Sequence, residues 1–394
     1  MGMKNEMTEK LYYENVNEKT FAARVLSCEQ SGGKYLVTLD RTAFFPEGGG
    51  QPADTGVLEN ANVLDVREHD GTIVHTVDKP VPVGSLILGG VNWDRRFRHM
   101  QQHTGEHIVS GIANRLFGAD NVGFHMGDSY LTVDWDVQLC PEQLETIERL
   151  ANEAVYRNVP VSAEFPSPER LAVLPYRSKK KLTGRIRIVT VPGYDVCACC
   201  GTHVSFTGAV GAVKITGAQN YKGGTRIFLV CGAQAMDDDS EKQRNVAEVS
   251  ALLSAKPNEI SQAVKHLLQE DAELKRRLSE AHAGLLAKKV DAAPAGCGNV
   301  CAVEKGLSPD DLRHYALSLA KRCGGTAAVF SGTEGAYRYA VCSSHEDVRP
   351  VGKALNAALS GRGGGSKELV QGSVRSGCEE IEKFFCSSFT ILPG

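Results

Sequence analysis

The run Arg98-His-Met-Gln-Gln-His103-Thr-Gly-Glu-His107 lies inside a stretch, residues 94 to 117, that reads as one helix closing at Gly118. Four residues turn a helix about 40° past a full circle, so His103 and His107 share a face. The same spacing recurs far along the chain, as Cys199 and His203 in Asp195-Val-Cys-Ala-Cys-Cys-Gly-Thr-His203. Together the two pairs supply three imidazoles and a thiolate, the donor set that a tetrahedral zinc ion prefers. Either pair alone is a weak signal; both in one chain are a specific one. His99 extends the helical spacing by a turn, but beside Arg98 near the helix start it reads as a solvated residue. Zinc requires neutral imidazoles, and burial moves a histidine pKa in that direction.

The string His103-Thr-Gly-Glu-His107 also spells the H-x-x-E-H pattern of inverted zinc peptidases, with Glu106 as general base. That reading leaves Cys199 and His203 unexplained. A closed set of four protein ligands ordinarily marks a structural zinc, because a catalytic ion keeps a position for water. Both roles stay open at this stage.

Composition bounds the rest. A chain of 394 residues is too long for a single ordinary core, so two or three domains are expected. Lys and Arg number 44 against 47 Asp and Glu, a net charge of −3, so nucleic-acid binding would need a local basic patch. No run of about 18 apolar residues exists, which excludes a spanning helix. With 12 cysteines but no apolar signal segment, the chain reads as a reduced, cytoplasmic protein.

The pattern predicts an α+β protein in four parts. Residues 1–91 are short, β-branched, glycine-punctuated segments (20–25, 35–39, 56–66, 72–76, 86–91), the mark of a β-barrel-like domain. Residues 92–236 carry the two ligand pairs, with a second amphipathic helix from Pro141 to about Arg157 and strands at 129–135, 185–189, 204–206, 210–215 and 225–230. Asp237-Asp-Asp-Ser240 reads as a helix cap opening a helical segment, 237–292, broken at Pro257. Within it Ile260, Val264, Leu267, Leu274, Leu278, Ala281 and Leu285 fall on a 3-4 spacing, a coiled-coil seam that predicts a homodimer through the 258–290 helix. Packing of that helix on its own domain is the alternative. Residues 293–394 alternate apolar segments with amphipathic helices, as an α/β domain does.

Two further clusters stand out. Thr42-Ala-Phe-Phe-Pro-Glu-Gly-Gly-Gly-Gln-Pro-Ala-Asp-Thr-Gly56 contains three consecutive glycines, which suit either a hairpin loop or an amide nest for an anion. Arg177, Lys179, Lys180, Lys181, Arg185 and Arg187 gather just before the cysteine motif, a patch suited to a polyanion.

These motifs, in this order, resemble the editing domain of alanyl-tRNA synthetase and its freestanding AlaX-type relatives: Phe45-Pro-Glu-Gly-Gly-Gly-Gln-Pro-Ala-Asp54, Gln102-His-Thr-Gly-Glu-His107 and Cys199-Cys-Gly-Thr-His203. Val122-Gly-Phe-His-Met-Gly127 and Ile147-Glu-Arg-Leu-Ala-Asn152 look like the same family. Gly361-Arg-Gly-Gly-Gly-Ser366 with Gln371-Gly372 resembles the glycine loop of the DHH-associated domain that ends its long members. The resemblance implies trans-editing: hydrolysis of the ester joining serine, and possibly glycine, to alanine-specific tRNA, without aminoacylation, for which the N-terminus shows no room. It implies zinc held by His103, His107, Cys199 and His203, with Thr42 recognising the serine hydroxyl and Gln51 and His125 as polar contacts. Arg177, Lys179, Lys180, Lys181, Arg185, Arg187 and, in the terminal domain, Arg362 are the implied tRNA contacts. Serine exceeds alanine by one hydroxyl, which an apolar synthetic pocket rejects weakly, so a second sieve has a purpose. The competing function is a tRNA- or nucleic-acid-binding module with structural zinc. One departure stands out: Cys200 replaces the first glycine of the family's Cys-Gly-Gly-Thr-His. A required positive φ would then strain the turn, and Cys200 or Cys197 would compete for the metal.

Overall fold

The computed structural model describes residues 7–127, 129–178 and 184–393. It forms two compact units, divided in sequence between Glu248 and Val249. In the first, strands Thr20–Ser31, Lys34–Leu39, Thr72–Val77, Ala61–His69, Gly56–Leu58 and Leu86–Val91 close in that order into a barrel. The expected continuous strand over 56–66 is two strands, because Glu59 turns the chain with φ 50°. Alternate residues Phe21, Ala23 and Val25 point inward and join Val37, Leu39, Phe44 and Ile73 in one core.

One polar pair sits within that core. His75 Nδ1 lies 3.1 Å from the Val37 carbonyl, which can only accept, so Nδ1 carries the proton and Nε2 accepts from the Thr42 hydroxyl at 2.9 Å. Burial pushes the His75 imidazole down to about 4. The unfolded chain binds this proton near pH 6.5 and the folded chain only near 4. Stability therefore falls as pH drops through that window, by about 3 kcal/mol from this residue alone. Urea unfolding of His75→Gln should show a flatter stability profile between about pH 6.5 and 4 than the parent. An unchanged slope would remove His75 from the acid response.

After the barrel comes the helix Trp93–Phe117, whose buried apolar residues join a separate core. Asn92 caps it by accepting from the Arg95 amide at 3.2 Å, and Gly118 ends it with φ 64°. Arg96, on its first turns, is fully buried and meets the fully buried Asp54 through Nε at 2.8 and 3.0 Å and through Nη2. Helix Pro141–Arg157 turns Leu144, Ile147, Ala151 and Ala154 into a second core with Ile108 and Ile112. A four-stranded sheet (Val213–Tyr221, Gly224–Cys231, Leu131–Trp135, Asn121–Met126) and a three-stranded one (Ser162–Glu164, Ile188–Val191, Asp195–Ala198) complete the unit. The expected strand at 204–206 is instead irregular chain leading into the 3₁₀ turn Thr207–Val210. The acidic cap expected at 237–240 lies within helix Ala233–Leu253. That helix starts after Gly232, where the Gln101 side chain accepts the Ala233 amide at 3.2 Å.

In the second unit, helix Ile260–Ala292 leads to a mixed six-stranded sheet in the order Arg362–Gly365, Leu369–Val374, Ala336–Cys342, Gly324–Thr333, Gly298–Glu304, Thr390–Leu392. Apolar cores cover both of its faces. The segment read as a glycine loop is an edge strand, Gly363 pairing with Gly372 and Gly364 with Gln371, since glycines lacking Cβ let the two backbones pair closely. Leu267, Leu274, Leu278 and Leu285 of the long helix are each more than half exposed. No helix among the described residues is long and apolar enough to cross a membrane.

Candidate metal centre

Helix Trp93–Phe117 carries His103 and His107 on one buried face, and the strand Asp195–Ala198 delivers the chain to Cys199 and His203 beside them. One donor atom from each of the four lies within 4.8 Å of all the others. Cys199 Sγ stands 3.3 Å from His103 Nε2 and 3.4 Å from His203 Nε2. A tetrahedron with Zn–N near 2.0–2.1 Å and Zn–S near 2.3 Å has N···S edges of about 3.5 Å, so the donor set fits zinc in identity and spacing.

Each ring is held by its other nitrogen. His103 Nδ1 meets Gln51 Oε1 at 2.9 Å, His107 Nδ1 meets Asp195 Oδ2 at 2.9 Å, and His203 Nδ1 meets Thr104 Oγ1 at 3.2 Å. All three Nε2 atoms are thereby turned toward the thiolate, as ligand rings are in metal proteins. Gln51 also accepts from the Thr202 amide and donates to the Thr202 hydroxyl, tying the cysteine loop to the helix. Burial opposes charge on Cys199, but His103 and His107 reverse that and hold its thiol well below the usual value. Burial likewise opposes charge on His107, yet Cys199 and Asp195 hold it well above its usual value. Burial, with His103 beside it, pushes the His203 imidazole down to about 3, which keeps that ring neutral.

Glycine places two of these partners. The Gly48-Gly-Gly-Gln51 run is a tight turn, with φ 61° at Gly49, φ 86° at Gly50 and reciprocal Gly48–Gln51 backbone bonds of 3.0 and 3.1 Å. A Cβ on Gly50 would stand 2.5 Å from the Phe124 ring, and one on Gly201 2.1 Å from His103 Cε1. Cys200, by contrast, is absent from the positive-φ residues among those described, so the departure from glycine brings no such strain. Its exposed thiol is not part of the donor cluster. Cys197 lies with His107 and Asp195, and burial pushes its thiol up.

His103, His107 and Cys199 line a cavity of about 1050 Å³ together with Tyr13, Gly50, Phe124, Phe165, Arg185 and Arg187. Of the polar contacts expected there, Gln51 is buried behind His103 and orients it. Thr42 is absent from the lining. It is fully buried in the barrel, its hydroxyl engaged with His75 and with the Phe44 amide at 3.1 Å. His125 is exposed and outside the cavity, because strand alternation gives that face to Phe124, which stacks on His103 at 5.2 Å. Glu106 is buried, with Oε1 accepting from Ser110 and Asn121, and the cluster is completed by Cys199 and His203, not by a carboxylate as a peptidase requires.

The basic patch divides. Arg177 makes a two-pronged bond to Asp195 at 2.8 and 2.9 Å. Arg187 is buried and donates to the Cys199 and Gly201 carbonyls at 3.1 and 2.8 Å. Both brace the donor cluster, so the guanidinium groups read from sequence as tRNA contacts are engaged within the protein. Arg185 is exposed at the cavity, Arg362 is exposed in the second unit, and Lys179, Lys180 and Lys181 lie outside the described residues. Sequence reasoning missed Thr104, Asp195 and Phe124; the first two adjoin the ligand motifs, and strand alternation was the signal for the third.

The family described as threonyl and alanyl tRNA synthetase second additional domain matches residues 186–228, which include Cys199 and His203. The family described as tRNA synthetases class II (A) matches residues 3–95, the barrel region. An alanine–tRNA ligase of Pyrobaculum calidifontis is 35% identical over 95% of this chain and 43% of its own length. That of Pyrococcus furiosus is 32% identical over 95% and 42%. The chain thus spans less than half the length of these curated relatives. The crystal structure of the C-Ala domain from Aquifex aeolicus alanyl-tRNA synthetase matches 23% of this chain and 92% of that one, at 20% identity and a TM-score of 0.21. The chain is thus similar over nearly its whole length to part of alanine–tRNA ligases, and its residues 186–228 match the second additional domain of threonyl and alanyl tRNA synthetases.

Proposed function

We propose that this protein is an aminoacyl-tRNA deacylase that clears serine, with glycine as a second candidate, from alanine-specific tRNA in trans, at a zinc site and without aminoacylation. The observation that carries the reading is the convergence of His103, His107, Cys199 and His203, the first three of them lining a large cavity, in a chain similar to alanine–tRNA ligases. Zinc held there would position the aminoacyl group or polarise the attacking water. Gln51, Asp195 and Thr104 fix the ligand rings, Arg187 holds the cysteine loop, and Arg185 faces the incoming nucleic acid. Incubating the purified protein with serine-charged and alanine-charged alanine tRNA tests it, with release of serine alone as the expected result. Unchanged serine-charged tRNA together with tight tRNA binding would favour the second reading, a binding module with structural zinc, for which the complete four-residue donor set speaks.

With the Thr42 hydroxyl donated to His75, serine recognition does not pass through it in this arrangement. Thr42→Val should cost about 1 kcal/mol of barrel stability and leave serine-ester hydrolysis by the folded protein at the parent's rate. A selective loss on serine esters would return Thr42 to the site.

The exposed leucines of helix Ile260–Ala292 support pairing of two copies, and the four-part division of the chain stands as part of the same proposal. The whole chain should sediment as a dimer, and a chain ending at Glu248 as a monomer that keeps its maximal rate at saturating tRNA but binds more weakly. A monomeric whole chain would refute the pairing.

A further inference from the structure

Beside the donor cluster, the cavity is walled by aromatic rings interleaved with guanidinium groups. The Arg185 guanidinium carbon lies 4.3 Å from the centre of the Phe165 ring, and Phe165 meets Tyr13 edge-on at 5.7 Å. Arg187 stacks over Tyr13 at 4.8 Å, but it is buried and bonded to the Cys199 and Gly201 carbonyls. Arg185 is exposed and Phe165 only half-buried, so this pair presents a flat cation backed by a ring to the cavity. A charge meant only for phosphate needs no ring beneath it. A purely apolar ligand needs no arginine. A flat, polarisable, electron-rich heterocycle uses both. The volume of about 1050 Å³ is ample for a nucleoside bearing an esterified amino acid.

We infer that Arg185 and Phe165 form the stacking platform for the nucleobase of the nucleotide that carries the scissile ester. This rests on the deacylase reading above. Stacked there, the base occupies the same cavity as the Cys199 and histidine donors and limits the ribose ester to the space between. Tyr13 supports the platform from the side, itself packed edge-on against Tyr12 at 4.5 Å. The pair therefore positions the substrate and takes no part in bond breaking.

Adenosine 5′-monophosphate and ribose 5-phosphate, titrated into the whole protein and followed by proton NMR, separate stacking from charge. The adenine protons should move upfield with the parent protein, and ribose 5-phosphate should bind far more weakly. Phe165→Ala and Arg185→Ala should each weaken the nucleotide by about 5- to 150-fold, and Arg185→Lys should resemble Arg185→Ala, because it keeps the charge and loses the plane. Phe165→Trp should restore binding. With charged tRNA, Phe165→Ala should raise KM and leave kcat and zinc content at the parent's values. Absence of the upfield shift with the parent, equal binding of ribose 5-phosphate, or full retention in Arg185→Lys would each overturn the platform. The exposed Arg185 variants keep the test valid if Phe165→Ala fails to fold. Stacking as expected in a parent protein that deacylates nothing would leave the platform standing and remove the proposed reaction.

Discussion

Cys199→Ala and His107→Ala should both leave purification without zinc, where the parent carries about one ion per chain. Three imidazoles and one thiolate meet at one point, and removing any of them leaves an incomplete shell around a doubly charged ion in a buried site. Asp195→Asn and Gln51→Ala should keep zinc but bind it about 10- to 100-fold more weakly, because each loses the partner that aims a ring. The graded pattern matters more than the loss itself. Zinc at 1,000 times its dissociation constant adds about 4 kcal/mol to folding stability, so the ligand variants should also unfold at lower denaturant than the parent. Elemental analysis, competition with a chelator and urea melts read all three effects. Full zinc retention in both ligand variants would falsify the assignment.

The second large effect belongs to a pair that touches neither metal nor cavity. Arg96 and Asp54 are both at 0% exposure, and Arg96 also donates to the Ala43 carbonyl at 2.6 Å while Asp54 accepts from the Phe45 amide at 2.7 Å. Replacing one partner strands the other charge in the protein interior. Arg96→Met or Asp54→Leu should therefore cost about 3–5 kcal/mol, a large share of a total stability of about 5–15 kcal/mol. The double variant should regain much of that, since two apolar side chains leave no charge unpaired. Zinc binding should weaken in the single variants as well, because the pair anchors the 42–56 segment that supplies Gln51. Denaturation of the single and double variants checks the cycle. A single-variant loss below about 1 kcal/mol would mean that water reaches the pair.

What sequence could show follows from range. The ligand set was legible because each pair is local: two residues on one helix face, two in one loop. Helix Pro141–Arg157 was legible for the same reason, its apolar residues repeating with the helical period. Arg96–Asp54, Gln51–His103 and Asp195–His107 were not, because each joins segments whose proximity only the fold decides. Arg177 and Arg187 show the error that results. A dense run of cations reads as a surface patch, yet both face inward and hold carboxylate or carbonyl oxygens. Thr42 failed for a different cause: a hydroxyl in a conspicuous motif was given a substrate, whereas the fold gives it His75.

The order in which the site's parts occur along the chain sets when it can close during synthesis. The barrel turn bearing Gln51 emerges first, then the helix bearing His103 and His107, and only much later Cys199 and His203. A nascent chain that ends before His203 offers two imidazoles and no thiolate, a weak and unselective trap for passing cations. Secure uptake of a metal by the full donor set would have to wait until that residue has left the ribosome, so an ion bound there would be a late seal on the first unit.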